Sequence, residues 1–157
     1  MALKRLAKEY KEITKNPTYN YSVEATDNFL VWNFIVIGPS DTIYEGGLFK
    51  GIIEFNVMYP IRAPVVKFNN IIHPNIYIDG KVCISILHEG SDIYGHEKDI
   101  ERWSPCHGIE SVMISIISML SEPNFDSPAD VDSSKLWRTN IDEYKKKIYK
   151  LVTKSQL

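Results

Sequence analysis

The sequence predicts an α+β fold with helices packed on one face of an antiparallel sheet. A basic amphipathic helical pattern opens the chain, short β-rich segments follow one another with turn residues between them, and helical periodicity returns only in the second half. With 157 residues, 44% of them hydrophobic, the chain fits one domain spanning residues 1–157. That is enough to bury a core without disulfide or metal support.

From Ala2 to Thr14, Leu3, Leu6, Ala7, Tyr10 and Ile13 recur at helical spacing beside Lys4, Arg5, Lys8, Lys11 and Lys15. Asn16-Pro17 ends this first helix. Tyr21–Ala25, Phe29–Ile37, Leu48–Val57 and Val65–Phe68 predict a four-stranded meander, divided by Asp27-Asn28 and the turn Gly38-Pro39-Ser40. Pro60, Pro64 and Pro74 make the path from Tyr59 to Asn75 irregular and stiff. Ile109, Val112, Met113, Ile116, Ile117 and Leu120 form one wide apolar face, so a central core helix runs there and stops before Pro123. A short helix around Ser133–Arg138 and a last one over Ile141–Thr153 follow, the latter with Tyr144, Ile148, Leu151 and Val152 inward. Trp32, Phe34 and Phe55 are expected in the core.

A formal charge of −2 and a pI near 6.1 argue against a nucleic-acid binder and favour protein partners. Cys83 and Cys106 form neither a redox pair nor a zinc set, so a reduced, intracellular protein without metal is expected. No run of eighteen apolar residues and no leader pattern is present, which predicts a soluble chain that reaches membranes only through a partner.

Chemistry concentrates where strands give way to helices. Asn75 lies eight positions before Cys83, with the Asp79-Gly80 turn between them. A thiol can carry an acyl group as a thioester, and a side-chain amide can stabilise the oxyanion formed when a second nucleophile attacks. The same amide could equally hydrogen-bond the backbone and hold the turn. After the apolar stretch Val82–Leu87 comes a polar segment, His88 to Arg102, in which Glu89, Asp92, Glu97, Asp99 and Glu101 face only Lys98 and Arg102, a net charge of −3. A loop of that length in a compact domain is commonly functional.

His73-Pro74-Asn75 followed by Cys83, Trp103-Ser104-Pro105 and Glu122-Pro123-Asn124 resembles the catalytic fold of ubiquitin-conjugating enzymes. The resemblance covers nearly the whole chain, including Ala2–Leu6, Gly38-Pro39, Tyr44–Phe49, Tyr59-Pro60 and Ala63-Pro64 in the expected order. Cys83–Glu89, the insertion before Trp103 and Asp126–Asp132 resemble the G-type subfamily, associated with degradation-linked chain building and endoplasmic-reticulum quality control.

This resemblance implies a carrier that takes ubiquitin from an activating enzyme onto Cys83 and passes it to a lysine of a protein substrate or of another ubiquitin, usually with a RING-type ligase. It needs no cofactor, ATP being consumed upstream. It implies a cytoplasmic protein, recruited indirectly to the cytosolic face of the endoplasmic reticulum. His73 has a structural role in the family. Many relatives carry aspartate two positions after the cysteine and before the proline that follows the core helix; this chain has Ser85 and Ser127 there, leaving Asp126, Asp130 and the loop acids as candidate proton acceptors. In the related subfamily the acidic loop, here with Tyr94, Gly95 and His96, borders the cysteine and influences chain assembly. Lys4 and Arg5 match the docking site of the activating enzyme, and Ile61, Pro105 and Cys106 match the two loops that meet the ligase.

Two other functions compete. A cysteine hydrolase would pair Cys83 with one of the four histidines as base. A non-enzymatic scaffold variant of the family would lack the active cysteine, which Cys83 argues against. A related modifier in place of ubiquitin stays open.

Overall fold

A computed structural model describes residues 1–157. Helix α1 (Ala2–Lys15) precedes strands β1 (Tyr21–Ala25), β2 (Val31–Ile37), β3 (Leu48–Glu54) and β4 (Val65–Phe68), which pair in that order as an antiparallel meander. A long irregular segment with two short 3-10 turns, Ser85–Leu87 and Asp99–Glu101, leads to α2 (Ile109–Ser121), α3 (Val131–Thr139) and α4 (Ile141–Ser155).

Alternation decides which sheet face is covered. Trp32, Phe34 and Val36 of β2, with Phe49 and Ile53 of β3, are buried in a single core that also holds Ile109, Val112, Met113 and Ile116 of α2. α2 is therefore the central core helix, and α4 joins the same core through Tyr144, Ile148 and Val152, with Leu151 half-buried.

Two strands are shorter than their apolar runs. Phe29 and Leu30 sit in a turn before β2, where the Asn28 carboxamide accepts from the Leu30 N–H and the Thr26 hydroxyl donates to the Asn28 and Val31 carbonyls. β3 ends at Glu54 because the Asn56 side chain and carbonyl turn the chain through the Met58 and Tyr59 N–H groups. In α1 the periodicity overreaches as well: Ala2 and Leu6 are buried, whereas Leu3 and Ala7 lie on the outer face.

Two features carry this frame to the site. The Tyr44 hydroxyl donates to the Ile72 carbonyl at 2.6 Å and the Tyr144 hydroxyl does so at 3.1 Å, while Ser133 Oγ lies 2.7 Å from the Tyr144 oxygen. The backbone just before His73 is thus pinned to both C-terminal helices. At the other end, Glu9 of α1 accepts from Arg5, from the Tyr59 hydroxyl at 2.5 Å and from the Ile109 N–H at 2.8 Å. One carboxylate joins the first helix, the proline-rich loop and the start of α2.

Candidate active site

The backbone turn between Asn75 and Cys83 is closed by short-range pairing. Ile76 and Val82 bridge, and the Cys83 N–H donates to the Asn75 carbonyl at 2.9 Å. Gly80 has φ +96°, and a Cβ there would come within 2.1 Å of the Phe68 carbonyl oxygen, so only glycine lets the turn lie against β4.

Asn75 is buried, and its carboxamide is paired on both sides with one residue. Nδ2 donates to the Asn124 carbonyl and Oδ1 accepts from the Asn124 N–H, each at 2.8 Å. The oxygen and one amide hydrogen hold the segment after α2, and a carboxamide has one further N–H to offer. His73 is fully buried. Its Nδ1 accepts from the Asn75 N–H at 2.9 Å, so Nε2 carries the hydrogen donated to the Met119 carbonyl at 2.8 Å. Burial pulls its pKa down to about 4, and both nitrogens are spent on backbone, which makes it a structural histidine.

Cys83 is half-buried, unpaired as a disulfide, and lies between two grooves. One of about 460 Å³ runs past Ala63, Pro64, Tyr77 and Leu87; the other, about 230 Å³, runs past Asn75, Ser85, Ser118, Glu122, Asn124 and Ser127. The thiol is partnered by His88, whose Nε2 is 3.5 Å from Sγ. His88 Nδ1 in turn is 2.9 and 3.1 Å from the two oxygens of Glu97. The Ser85 hydroxyl donates to Glu97 at 2.5 Å, and the Arg102 guanidinium pairs with the same carboxylate.

This chain of contacts sets the local electrostatics. The hydrogen bond from His88 lowers the Cys83 pKa against the opposing effects of burial and of the Glu97 charge. Bonding to the thiol raises His88 to about 8, opposed by burial and assisted by Glu97. Burial would raise the Glu97 carboxyl, but Ser85, His88 and Arg102 together hold it below its ordinary range. A partly exposed thiol of lowered pKa beside an oriented imidazole is a nucleophile.

Several sequence-selected residues have other duties. Asp130 caps α3 by accepting from the Ser133 N–H at 3.0 Å, so its carboxylate is committed to backbone. Its own N–H and that of Ala129 donate to the Pro74 carbonyl, locking this segment to the His73–Asn75 stretch. Asp126 and Ser127 are exposed, with Ser127 lining the smaller groove. In the acidic loop, Glu89 accepts from Arg62 and the Ala63 N–H, Asp92 accepts from the N–H groups of Tyr94, His96 and Glu97, and Glu101 accepts from the Lys98 N–H. Asp99 is exposed, and His96 stacks against Tyr94 at 6.4 Å. Most of the loop's negative charge is therefore used to shape the loop.

Lys4 is exposed on α1, whereas Arg5 donates to the Pro105 and His107 carbonyls at 3.0 and 2.8 Å. Ile61 is 55% exposed beside Pro60, whose carbonyl accepts from the Trp103 indole at 2.8 Å. Ile61 and the exposed pair Pro105-Cys106 thus belong to two loops joined through Trp103. His88 was not singled out from sequence. Its only local signal is a histidine five positions after the cysteine, and its contact with Glu97 needs the loop to fold back.

The family model of ubiquitin-conjugating enzymes matches residues 5–152. The chain is 50% identical over 155 residues to ubiquitin-conjugating enzyme E2 13 of Arabidopsis thaliana, covering 96% of this chain and 93% of that one. It is 47% identical over 154 residues to ubiquitin-conjugating enzyme E2 15 of Schizosaccharomyces pombe, covering 96% and 92%. It is 44% identical over 158 residues to ubiquitin-conjugating enzyme E2 G2 of Homo sapiens, covering 98% and 96%.

Proposed function

The chain belongs to the ubiquitin-conjugating enzyme family and resembles its G-type members, and from that premise we propose that Cys83 accepts ubiquitin as a thioester from the activating enzyme and yields it to a lysine amine. The observation that carries this assignment is the half-exposed Cys83 thiol, set between two open grooves with its pKa lowered by His88. A thiolate suits both halves of the task, attacking one thioester and leaving from the next. The whole chain, residues 1–157, acts as the catalytic domain.

Asn75 has two roles on this reading. Its paired bonds to Asn124 set the wall of the smaller groove, and its remaining amide hydrogen serves the oxyanion that forms as lysine attacks. His73, Asp130 and the Pro74 carbonyl hold that wall in place.

Ile61, Pro105 and Cys106 form the surface for a RING-type ligase, an exposed apolar side chain beside rigid prolines. Lys4, exposed and in no ion pair, is the α1 cation offered to the activating enzyme. Arg5, bound to the ligase-side loop, couples that helix to it. The shaped acidic loop gathers the cationic surface of an acceptor ubiquitin or substrate, in chain building that leads to degradation. We place the protein in the cytoplasm, working at the cytosolic face of the endoplasmic reticulum through a partner. No helix is long and apolar enough to cross a membrane.

The Cys83–His88–Glu97 series also suits a thiol hydrolase, so the test must separate the two. Purified protein mixed with activating enzyme, ubiquitin and ATP is expected to give a thiol-sensitive adduct on a non-reducing gel that is absent for Cys83→Ala. Cleavage of ubiquitin thioesters or isopeptides without that adduct would favour the hydrolase.

A further inference from the structure

We propose that His88 is the catalytic base that takes the proton of the incoming lysine, and that Glu97 is its positioning residue. The inference rests on Cys83 being the thioester carrier. Of the other candidate acceptors, Ser85 and Ser127 have no charge, Asp130 caps a helix, and Asp126 is exposed and does not line the smaller groove. His88 Nε2 is 3.5 Å from Sγ, beside the place any acyl carbon on that sulfur must occupy.

The tautomer is set by the far side of the ring. Beside the free thiol the ring is protonated and Nε2 donates to the sulfur; once neutral, it keeps its hydrogen on Nδ1, which faces a carboxylate at 2.9 Å, and turns the Nε2 lone pair to the sulfur. Glu97 is itself immobilised by Ser85, by Arg102 and by its own N–H, which donates to Asp92 at 2.9 Å. Arg102 is anchored by bonds to the Gly90 and Glu89 carbonyls. The acidic loop thus delivers a fixed carboxylate to the imidazole.

The step balances without a cofactor. A lysine ammonium gives one proton to Nε2, and the freed amine attacks the thioester carbon. Its second proton passes from nitrogen to water as the C–S bond breaks, and sulfur leaves with the bonding pair as a thiolate facing the imidazolium just formed. Loading primes this exchange. The thiol contributes most to the raised pKa of His88, and acylation removes that partner while burial and Glu97 remain, so the imidazole gives up its proton more readily when ubiquitin is on the cysteine. The charged and titratable groups around His88 are Cys83 and Glu97 directly, Arg102 behind Glu97, Tyr77, Lys81 and the Arg62–Glu89 pair along the larger groove, and Glu122 along the smaller one.

The test isolates the ubiquitin thioester from activating enzyme and ATP and follows its single-turnover discharge to free lysine and, separately, to hydroxylamine, which is already unprotonated at neutral pH. His88→Gln is expected to slow lysine discharge about 10²-fold or more at neutral pH. The deficit should shrink as alkali deprotonates the lysine, and hydroxylamine discharge should suffer far less. Glu97→Gln is expected to move the acid limb of the lysine profile to lower pH, as the imidazolium loses its counter-charge. Normal lysine discharge by His88→Gln, or an equal loss for both amines at every pH, overturns the proposal. Should His88→Gln fail to load, an unmoved acid limb in Glu97→Gln overturns it. A wild-type protein that forms no thioester, or a Cys83→Ala variant that still does, refutes the carrier assignment instead.

Discussion

The two sides of Cys83 are built from opposite materials. On the Asn75 side the polar groups are buried, neutral and bonded to backbone: His73 to Asn75 and Met119, Asn75 to Asn124, Pro74 to Ala129 and Asp130. On the His88 side the groups are charged, partly exposed and matched to one another: Glu97 to His88 and Arg102, and Glu89 to Arg62. The first arrangement fixes shape, since leaving either partner of a buried pair unsatisfied costs about 1–3 kcal/mol. The second sets charge and stays responsive to pH and salt, because water screens it. Under the proposed function the rigid wall serves the oxyanion and the titratable wall the proton.

The largest expected effect comes from breaking the rigid wall. Asn75→Ala removes both bonds to Asn124 together with the proposed oxyanion donor, and lysine discharge from the loaded thioester should fall by about 10²–10³, far more than loading of Cys83 falls. Equal losses in loading and discharge would assign Asn75 to structure alone.

Next in size is the response of folding to pH, in which the two histidines should act in opposite directions. His73 titrates near pH 4 when folded, below its ordinary 6.5. Its contribution is therefore complete above pH 6.5 and lost as pH falls through 4, with an amplitude of about 3 kcal/mol. His88 titrates near 8 when folded, so its contribution is complete below pH 6.5 and lost as pH rises through 8. Being half-exposed and screened, it should have the smaller amplitude. Denaturant midpoints across this range, for wild type against His73→Gln and His88→Gln, should show an acid-side difference for the first and an alkaline-side one for the second. A constant difference across the range for either variant would remove that histidine from the linkage.

The smallest effect concerns long-range charge. Raising salt should weaken chain extension several-fold more than it weakens Cys83 loading, since the exposed charges of the loop act through solvent. Comparable salt dependence of both steps would leave the loop with only its local duty of holding Glu97, and normal chain formation after the loop is deleted would remove that duty as well.

Legibility from sequence followed the range of the interaction. β1 and β4 match their apolar runs residue for residue, and α2 starts at Ile109 and ends one residue past Leu120, because each is governed by a period read within a dozen neighbours. β2 and β3 came out shorter because Asn28, Asn56 and Thr26 turn the chain with side-chain bonds that an apolar pattern does not register. The acids of the loop were visible as a charge count, yet the count says nothing of the backbone N–H groups that Asp92 and Glu101 accept from. Asp130, chosen as a candidate acceptor, is recognisable afterwards as an N-cap three residues before the Ser133 N–H it binds.

By itself the sequence determined the α+β class, the order of the elements, and the pairing of Cys83 with Asn75 across one glycine turn, because periodicity, turn chemistry and short loop closure are local properties. Only the tertiary structure decided what those residues touch. Asn75 meets Asn124 across 49 positions, and Arg5 meets Pro105 and His107 across 100 or more. Cys83, His88 and Glu97 fall into line only when an aperiodic polar loop closes on Arg102. Such contacts depend on where packed elements deliver charged side chains, and a linear pattern carries no trace of that placement.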